Sequence, residues 1–315
     1  MRKKAFGIIV PCFNEEEVLP LTFSSLITVF NDLKEDGLID AEESKIIFVD
    51  DGSSDSTWDI ISKESINTGF ISGIKLSRNF GHQNALLAGM LETNFDVLIS
   101  IDADLQDDVS AIKEMLLEYH QGKEIVYGVR SDRSVDGIFK RTSALFFYKL
   151  ISFFGIKSIY NHADFRLLSR LALSNLKEFS ENDIYLRGVV PLLGLKSSVV
   201  KYKRLKRESG VTKYNLRRMI ALSLSGITSF SFYPLRLISF LGFIISFISF
   251  LMIIYVLFTV WFTDSAVDGW ASTLVSIFFL GGIQLLSIGI IGEYLGKVFL
   301  ETKKRPKYLI EEKVD

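Results

Sequence analysis

The chain has 315 residues and a formal net charge of −1, with 48% hydrophobic and 23% charged residues and a mean hydropathy of +0.28. So positive a hydropathy beside that much charge points to a water-soluble part joined to a membrane part rather than to a wholly soluble protein. The lone Cys12 excludes a disulfide framework and a cysteine-based zinc site, which fits a reducing cytosolic compartment; no nucleic-acid partner is expected.

The opening MRKKAFGIIV begins basic, but its apolar run is too short for a signal segment and reads as a first strand. From there to about residue 195, short β-branched runs alternate with longer amphipathic ones. Strands are expected over residues 6–10, 45–49, 71–76, 97–101 and 125–128, and helices over 18–33, 57–64, 83–91 and 110–119. This alternation predicts an open, mostly parallel α/β sheet, in which ligands bind beyond the carboxyl ends of the strands.

After Gly194 the composition changes. Residues 196–218 carry Lys196, Lys201, Lys203, Arg204, Lys206, Arg207, Lys213, Arg217 and Arg218 against the single acid Glu208. Residues 214–232 are amphipathic at helical spacing, as suits a helix lying in a membrane interface. Two uncharged apolar runs follow, 237–262 and 271–291, each long enough to cross the hydrocarbon core. Lysines and arginines flank the first run before it and the second after it, while the linker 263–269 has none, so both termini are expected on the cytosolic side of an inner, cytoplasmic membrane. The expected organisation is therefore a cytosolic α/β domain (1–213), a juxtamembrane helix (214–232), a two-helix transmembrane domain (233–298) and a charged tail (299–315). A homo-oligomer is compatible with this organisation, but nothing in the spans demands one.

The strand ends carry the chemistry. They read Val10-Pro11-Cys12-Phe13-Asn14-Glu15, Val49-Asp50-Asp51-Gly52-Ser53-Ser54-Asp55 and Asp102-Ala103-Asp104-Leu105-Gln106. Polar strand ends on one edge of a sheet form a single acidic crevice. Asp102 and Asp104, at i and i+2 on an extended segment, point the same way and suit one hard divalent cation, Mg²⁺ or Mn²⁺, with water and substrate phosphates completing its shell. Asp50 or Asp51 suits hydrogen bonds from a base or ribose, though the same DGSSDST stretch also reads as a turn that caps the next helix. Asp107 and Asp108 read as the start of the following helix, and His82 and His120 as structural or surface residues. Neither a phosphate-binding glycine loop nor a Ser/His/Asp arrangement is present, so ATP hydrolysis and acyl transfer find no support.

The trio VPCFNEE, VDDGSSDST and DADLQ resembles the family 2 glycosyltransferases of the GT-A fold, over about residues 5–207. With the two C-terminal spans, the chain is similar to the polyprenyl-phosphate glycosyltransferases, which include dolichyl-phosphate mannose synthases and bactoprenol (undecaprenyl-phosphate) glucosyltransferases. NFGHQ, ADFR and GEYL bring it nearest the bactoprenol branch. The resemblance implies that Pro11, Phe13 and Glu15 line the nucleotide, that Asp51 contacts the base, and that Asp102, Asp104 and Gln106 sit at the metal. Cys12 departs from the aromatic or small residue common at its position.

The implied reaction is an inverting transfer of a hexose from a UDP-sugar, with UDP-glucose favoured, to a polyprenyl phosphate at the cytosolic leaflet. The product would be a lipid-linked sugar donor for cell-envelope polysaccharide. The alternatives are the same chemistry with N-acetylhexosamine, galactose or GDP-mannose, and a non-catalytic lipid-binding assembly protein. A lipid phosphate is already an anion at pH 7, so the reaction needs charge neutralisation more than a strong base. Arg130, Arg141 and Arg207 are the candidate phosphate-binding cations, joined by Lys213 in a loop that resembles the family's mobile one. Asp164 either orients the acceptor through such a cation, contacts the metal, or caps a helix over residues 165–176.

Overall fold

In a computed structural model of the chain, the described residues are 3–131, 162–179, 181, 184–203 and 269–315, with positions between 235 and 254 that include 238–245. The expected juxtamembrane helix and the residues Arg141, Arg207 and Lys213 lie outside them. The chain divides into two compact units, one of residues 1–152, 157–214 and 305–315, the other of 153–156 and 215–304.

The first unit is built on an eight-stranded sheet: β1 (Phe6–Cys12), β2 (Lys45–Asp50), β3 (Ile71–Leu76), β4 (Val97–Ser100), β5 (Ile125–Arg130), β6 (His162–Ser169), β7 (Ser197–Tyr202) and β8 (Ile310–Val314), in the order β7-β5-β6-β4-β1-β2-β3-β8. The pairs β4-β1, β1-β2, β2-β3 and β5-β7 are parallel, whereas β6 and β8 join antiparallel. A central strand of a parallel sheet is covered on both faces and reads as an unbroken apolar run. FGIIVPC in β1 is such a run, and all of its residues are buried.

Among the described residues, helices α1 (Leu19–Glu35), α2 (Thr57–Thr68), α3 (His82–Leu91), α4 (Ala111–His120), α5 (Arg170–Lys177) and α6 (Leu186–Leu192) belong to this unit. Leu19, Phe23, Leu26, Phe30 and Leu33 fall on one stripe of α1 and pack into the core. Helix α3 approaches β1 so closely that a Cβ at Gly89 would stand 2.4 Å from Ile9 Cγ2.

The five expected strands and four expected helices are all present, with ends displaced by up to four residues. The region 162–177 differs. A helix over 165–176 is one of the alternatives that the sequence leaves for Asp164, but the chain runs as strand β6 through Ser169 and only then turns into α5. Phe165, Leu167 and Leu168 supply the apolar contacts, while Asp164 and Arg166 are also buried, and they answer one another's charge. The helix is capped by the Ser169 hydroxyl, which accepts from the Ala172 amide at 3.1 Å.

Residues 299–315, read from sequence as a charged tail, divide into two parts. The first finishes a helix, and residues 310–314 form β8 on the outer edge of β3, with Gly73 opposite Val314. Lys75–Glu311 (3.2 Å), Lys45–Asp315 (3.1 Å) and the Trp58 indole donating to Glu312 (3.1 Å) fix the strand in place.

In the second unit, α7 (Trp270–Thr302) runs for 33 residues, about 50 Å at 1.5 Å per residue. Its segment Phe279–Thr302 is the one helix among the described residues that is long and apolar enough to cross a membrane. That window sits some residues beyond the expected 271–291. Of the other expected span, 237–262, residues 238–245 are helical and much of the rest lies outside the described residues.

Candidate active site

The cleft is built mainly from residues at and just after the ends of parallel strands. Pro11 and Cys12 close β1, and Phe13, Asn14 and Glu15 follow. Asp50 closes β2, followed by Asp51 and Gly52. Asn79 and Gly81 follow β3, and Asp102–Asp104 follow β4. Together they line a cleft of about 290 Å³, walled by Pro11, Cys12, Phe13, Glu15, Asp51, Asn79, Gly81, His82, Ala85, Asp102, Ala103 and Asp104.

The first two strand ends are laced together. Asn14 donates its amide to Ser53 Oγ (2.9 Å) and accepts the Ser54 amide (2.8 Å), and the Glu15 amide donates to Thr57 Oγ1 (2.9 Å). Gly52 has a φ of +68°, and a Cβ there would meet the Arg78 carbonyl carbon at 2.4 Å, so turn and crowding both require glycine. Asp51 accepts the Phe80 and Gly81 amides at 2.7 and 2.9 Å. It thereby fixes the loop that forms one wall of the cleft. Asp50 is turned into the protein, where it takes the hydroxyl and amide of Ser53, and it does not line the cleft. Asp55 accepts the Thr57 amide at 3.0 Å, so part of the DGSSDST stretch does start α2.

Asp102 and Asp104 both face the cleft, but not from an extended segment. Strand β4 ends at Ser100. Asp104 accepts the Gln106 amide at 3.2 Å, closing a turn, and Leu105 takes a φ of +51°. An aspartate that bonds the amide two residues on bends the chain out of extension. Gln106 is buried and lies outside the cleft wall.

The profile of Glycosyl transferase family 2 matches residues 7–177, and the bactoprenol glucosyl transferase of Shigella phage SfX is 40% identical over 97% of this chain and 98% of its own. The chain belongs to glycosyl transferase family 2. The Bacillus subtilis glycosyltransferase YkoT, itself uncharacterised, is 52% identical over 96% of this chain and 90% of its own. Among solved structures, the mannosyltransferase PcManGT of Pyrobaculum calidifontis, in complex with GDP-mannose and Mn²⁺, superposes with a TM-score of 0.51 at 14% identity, covering 73% of this chain and 64% of that one. The fold is accordingly GT-A-like, a mixed α/β fold with a mostly parallel sheet.

In this glycosyltransferase the carboxylates are unevenly compensated. Burial raises the Asp102 carboxyl to about 6 against the pull of His82, and Asp164, Asp107 and Asp104 add to the rise. One oxygen of Asp102, Oδ1, is buried without a hydrogen-bond partner, with His82 Nε2 3.4 Å away. A buried, orphaned carboxylate oxygen beside a second carboxylate suits a hard divalent cation. No group of three or more His, Cys, Asp or Glu side chains among the described residues would hold one by itself.

Asp164 is not a helix cap. It sits in β6, 3% exposed, where its carboxylate takes the Arg166 guanidinium, Arg187 through Nε (3.1 Å) and Nη2 (2.8 Å), and the Gln83 amide (3.3 Å). Burial pushes this carboxyl up, but Arg187, His82 and Arg166 outweigh it and hold it well below the usual range. His82 Nε2 lies 3.4 Å from both Asp164 and Asp102. Burial lowers the imidazole, yet these two carboxylates raise it overall.

Asp107 does not start α4 either. It is 2% exposed and accepts from the Tyr202 hydroxyl (2.6 Å) and from Arg130 Nη2 (3.1 Å). Asp108 does serve the helix start, accepting the Ser110 amide and hydroxyl. Arg130 is thus held by Asp107 and Tyr202 at the ends of β5 and β7. Sequence reasoning missed His82 and Arg187. His82 follows a strand end, the same signal that located the aspartates, whereas Arg187 has no local signature.

Proposed function

We propose that this glycosyltransferase moves a hexose, glucose from UDP-glucose, onto undecaprenyl phosphate at the cytosolic leaflet of the cytoplasmic membrane. The observation that carries the reading is the 40% identity to a bactoprenol glucosyl transferase along nearly the whole of both chains, a match that takes in the apolar runs as well as the cleft. A relative sharing only the donor half would leave the acceptor open. In this reading the two apolar runs act as two spans with both termini cytosolic, which the flanking lysines and arginines favour.

In this reading Pro11, Phe13, Glu15 and Asp51 receive the nucleotide, and Asp102 and Asp104 hold Mg²⁺ or Mn²⁺. The cation supplies charge neutralisation for the departing diphosphate. The chain's own residues bind and orient. Asp51 holds the wall formed by Phe80 and Gly81, and the phosphate acceptor is received by arginines and lysines, with Arg141, Arg207 and Lys213 as the candidates from sequence.

The purified protein in detergent, given undecaprenyl phosphate and Mn²⁺, tests this with UDP-glucose, UDP-galactose, UDP-N-acetylglucosamine, UDP-N-acetylgalactosamine and GDP-mannose in parallel. Mass spectrometry of the lipid fraction should find a hexosyl phosphoryl undecaprenol from UDP-glucose. Product from another donor alone overturns the sugar assignment, and product from none overturns the reading.

A further inference from the structure

The Asp164 carboxylate is bound by two guanidiniums of unequal situation. Arg166 is 0% exposed in its side chain and serves Asp164 from within the sheet, whereas Arg187 is 35% exposed. One buried carboxylate needs one positive charge, and Arg166 provides it. A second guanidinium on the same group leaves a surplus positive charge at the partly open end. Asp102 and Asp104 are claimed by a divalent cation in the functional reading above, so they do not answer that surplus.

The surplus is also aimed. Arg187 lays Nε and Nη2 along Asp164, a bidentate fork that fixes the plane of the guanidinium and turns Nη1 away from that carboxylate. Gln83 braces both sides of the arrangement, donating to Asp164 and accepting the Leu186 amide next to Arg187 at 3.1 Å. His82, which precedes Gln83, lines the cleft and shares the Oδ2 oxygen of Asp164 with Arg187. A pre-oriented, half-open guanidinium beside a cleft suits planar recognition of a phosphate oxygen.

We infer that Arg187 binds a phosphate oxyanion of the reaction, and that Asp164 acts as its positioning residue rather than as a base or a metal ligand. The inference rests on the sugar-transfer reading of this cleft. The oxyanion comes either from the diphosphate of the donor or from the acceptor phosphate, and the two sources separate by experiment.

The full-length protein in detergent is compared with Arg187→Gln, Arg187→Lys, Asp164→Asn and the Arg187→Gln/Asp164→Asn double variant. Titration with UDP and Mn²⁺ reads the donor side, and the KM for undecaprenyl phosphate reads the acceptor side. Arg187→Gln should weaken one of the two at least tenfold: a loss confined to UDP assigns the donor diphosphate, and a loss confined to the acceptor KM assigns the lipid phosphate. Arg187→Lys should keep the melting temperature and recover part of the loss, while the double variant should lose no more than the worse single one.

UDP affinity and acceptor KM both within twofold of wild type in folded Arg187→Gln would overturn the inference, as would an Arg187→Lys variant no better than Arg187→Gln or fully additive losses. If the wild-type protein transfers nothing to undecaprenyl phosphate, the functional reading fails on its own. UDP affinity then decides Arg187, with a tenfold loss supporting it and an unchanged value refuting it.

Discussion

Asp107 and Arg130 form an ion pair across the strand ends, with Nη2 3.1 Å from Oδ1, and that same oxygen accepts the Tyr202 hydroxyl at 2.6 Å. The carboxylate is enclosed and the guanidinium mostly so. Removing one partner of such a pair strands the other charge, which costs about 3–5 kcal/mol. Asp107→Ala should therefore destabilise the α/β unit by about 3 kcal/mol in urea unfolding, and Tyr202→Phe by about 1 kcal/mol. An Asp107→Ala variant as stable as wild type would show that the pair holds nothing in place.

Asp102 is a cleft carboxylate whose ionisation the metal-free fold opposes. Its folded pKa, about 6, lies above the ordinary aspartate value, so ionised Asp102 weakens the metal-free fold increasingly as pH rises through 4 to 6 and uniformly above that. Asp102→Asn should raise the metal-free melting temperature by a few degrees at pH 7.5 and change it little at pH 4. Mn²⁺ should raise the melting temperature of the wild type and not that of the variant. Equal Mn²⁺ shifts in both proteins would remove Asp102 from the metal.

The terminal strand should be needed for the sheet. Truncation after Arg305 uncovers the edge of β3 and removes the Trp58–Glu312 bond, and an uncovered edge is open to pairing with other chains. The truncated protein should melt several degrees lower and aggregate sooner in light scattering.

The contacts of the terminal segment should also respond to acid. The Lys313 ammonium, then burial opposing it and the Tyr308 hydroxyl, sets Glu92 below its ordinary value, and Lys45 with Ser72 does the same for Asp315. Depressed carboxylates contribute stability above their unfolded pKa and lose it as pH falls through the folded one. The difference in melting temperature between full-length and truncated protein should thus shrink below about pH 4.

Gly52 supports the cleft wall through its backbone. Gly52→Ala sets a side chain against Arg78 at a positive φ and should cost about 2 kcal/mol or more. By displacing the Phe80–Gly81 amides from Asp51, it should also weaken UDP binding in calorimetry.

The periodic parts of the chain were legible. β1 to β5 and α1 to α4 follow from apolar spacing alone, and the strand-end rule located Phe13, Asp51, Asp102 and Asp104 on one cleft. β6 was not legible, because Asp164 and Arg166 place charge where a buried strand should be apolar, and only their mutual pairing makes that tolerable. β8 pairs with a strand more than two hundred residues earlier, a relationship that local pattern does not encode, and its charged IEEKV resembles a solvated tail. Asp107 and Asp108 look alike in sequence. Only the Tyr202 and Arg130 partners, distant in the chain, divide them into a buried ion-pair member and a helix starter.

The most direct measurement is the formation of an organic-extractable glycolipid from radiolabelled UDP-glucose and undecaprenyl phosphate with Mn²⁺, wild type against Asp104→Asn. The expected result is label in the lipid phase for the wild type and at least a hundredfold less for a variant that still melts like the wild type. Label that stays wholly aqueous with the wild type, or equal lipid labelling by Asp104→Asn, would contradict the account.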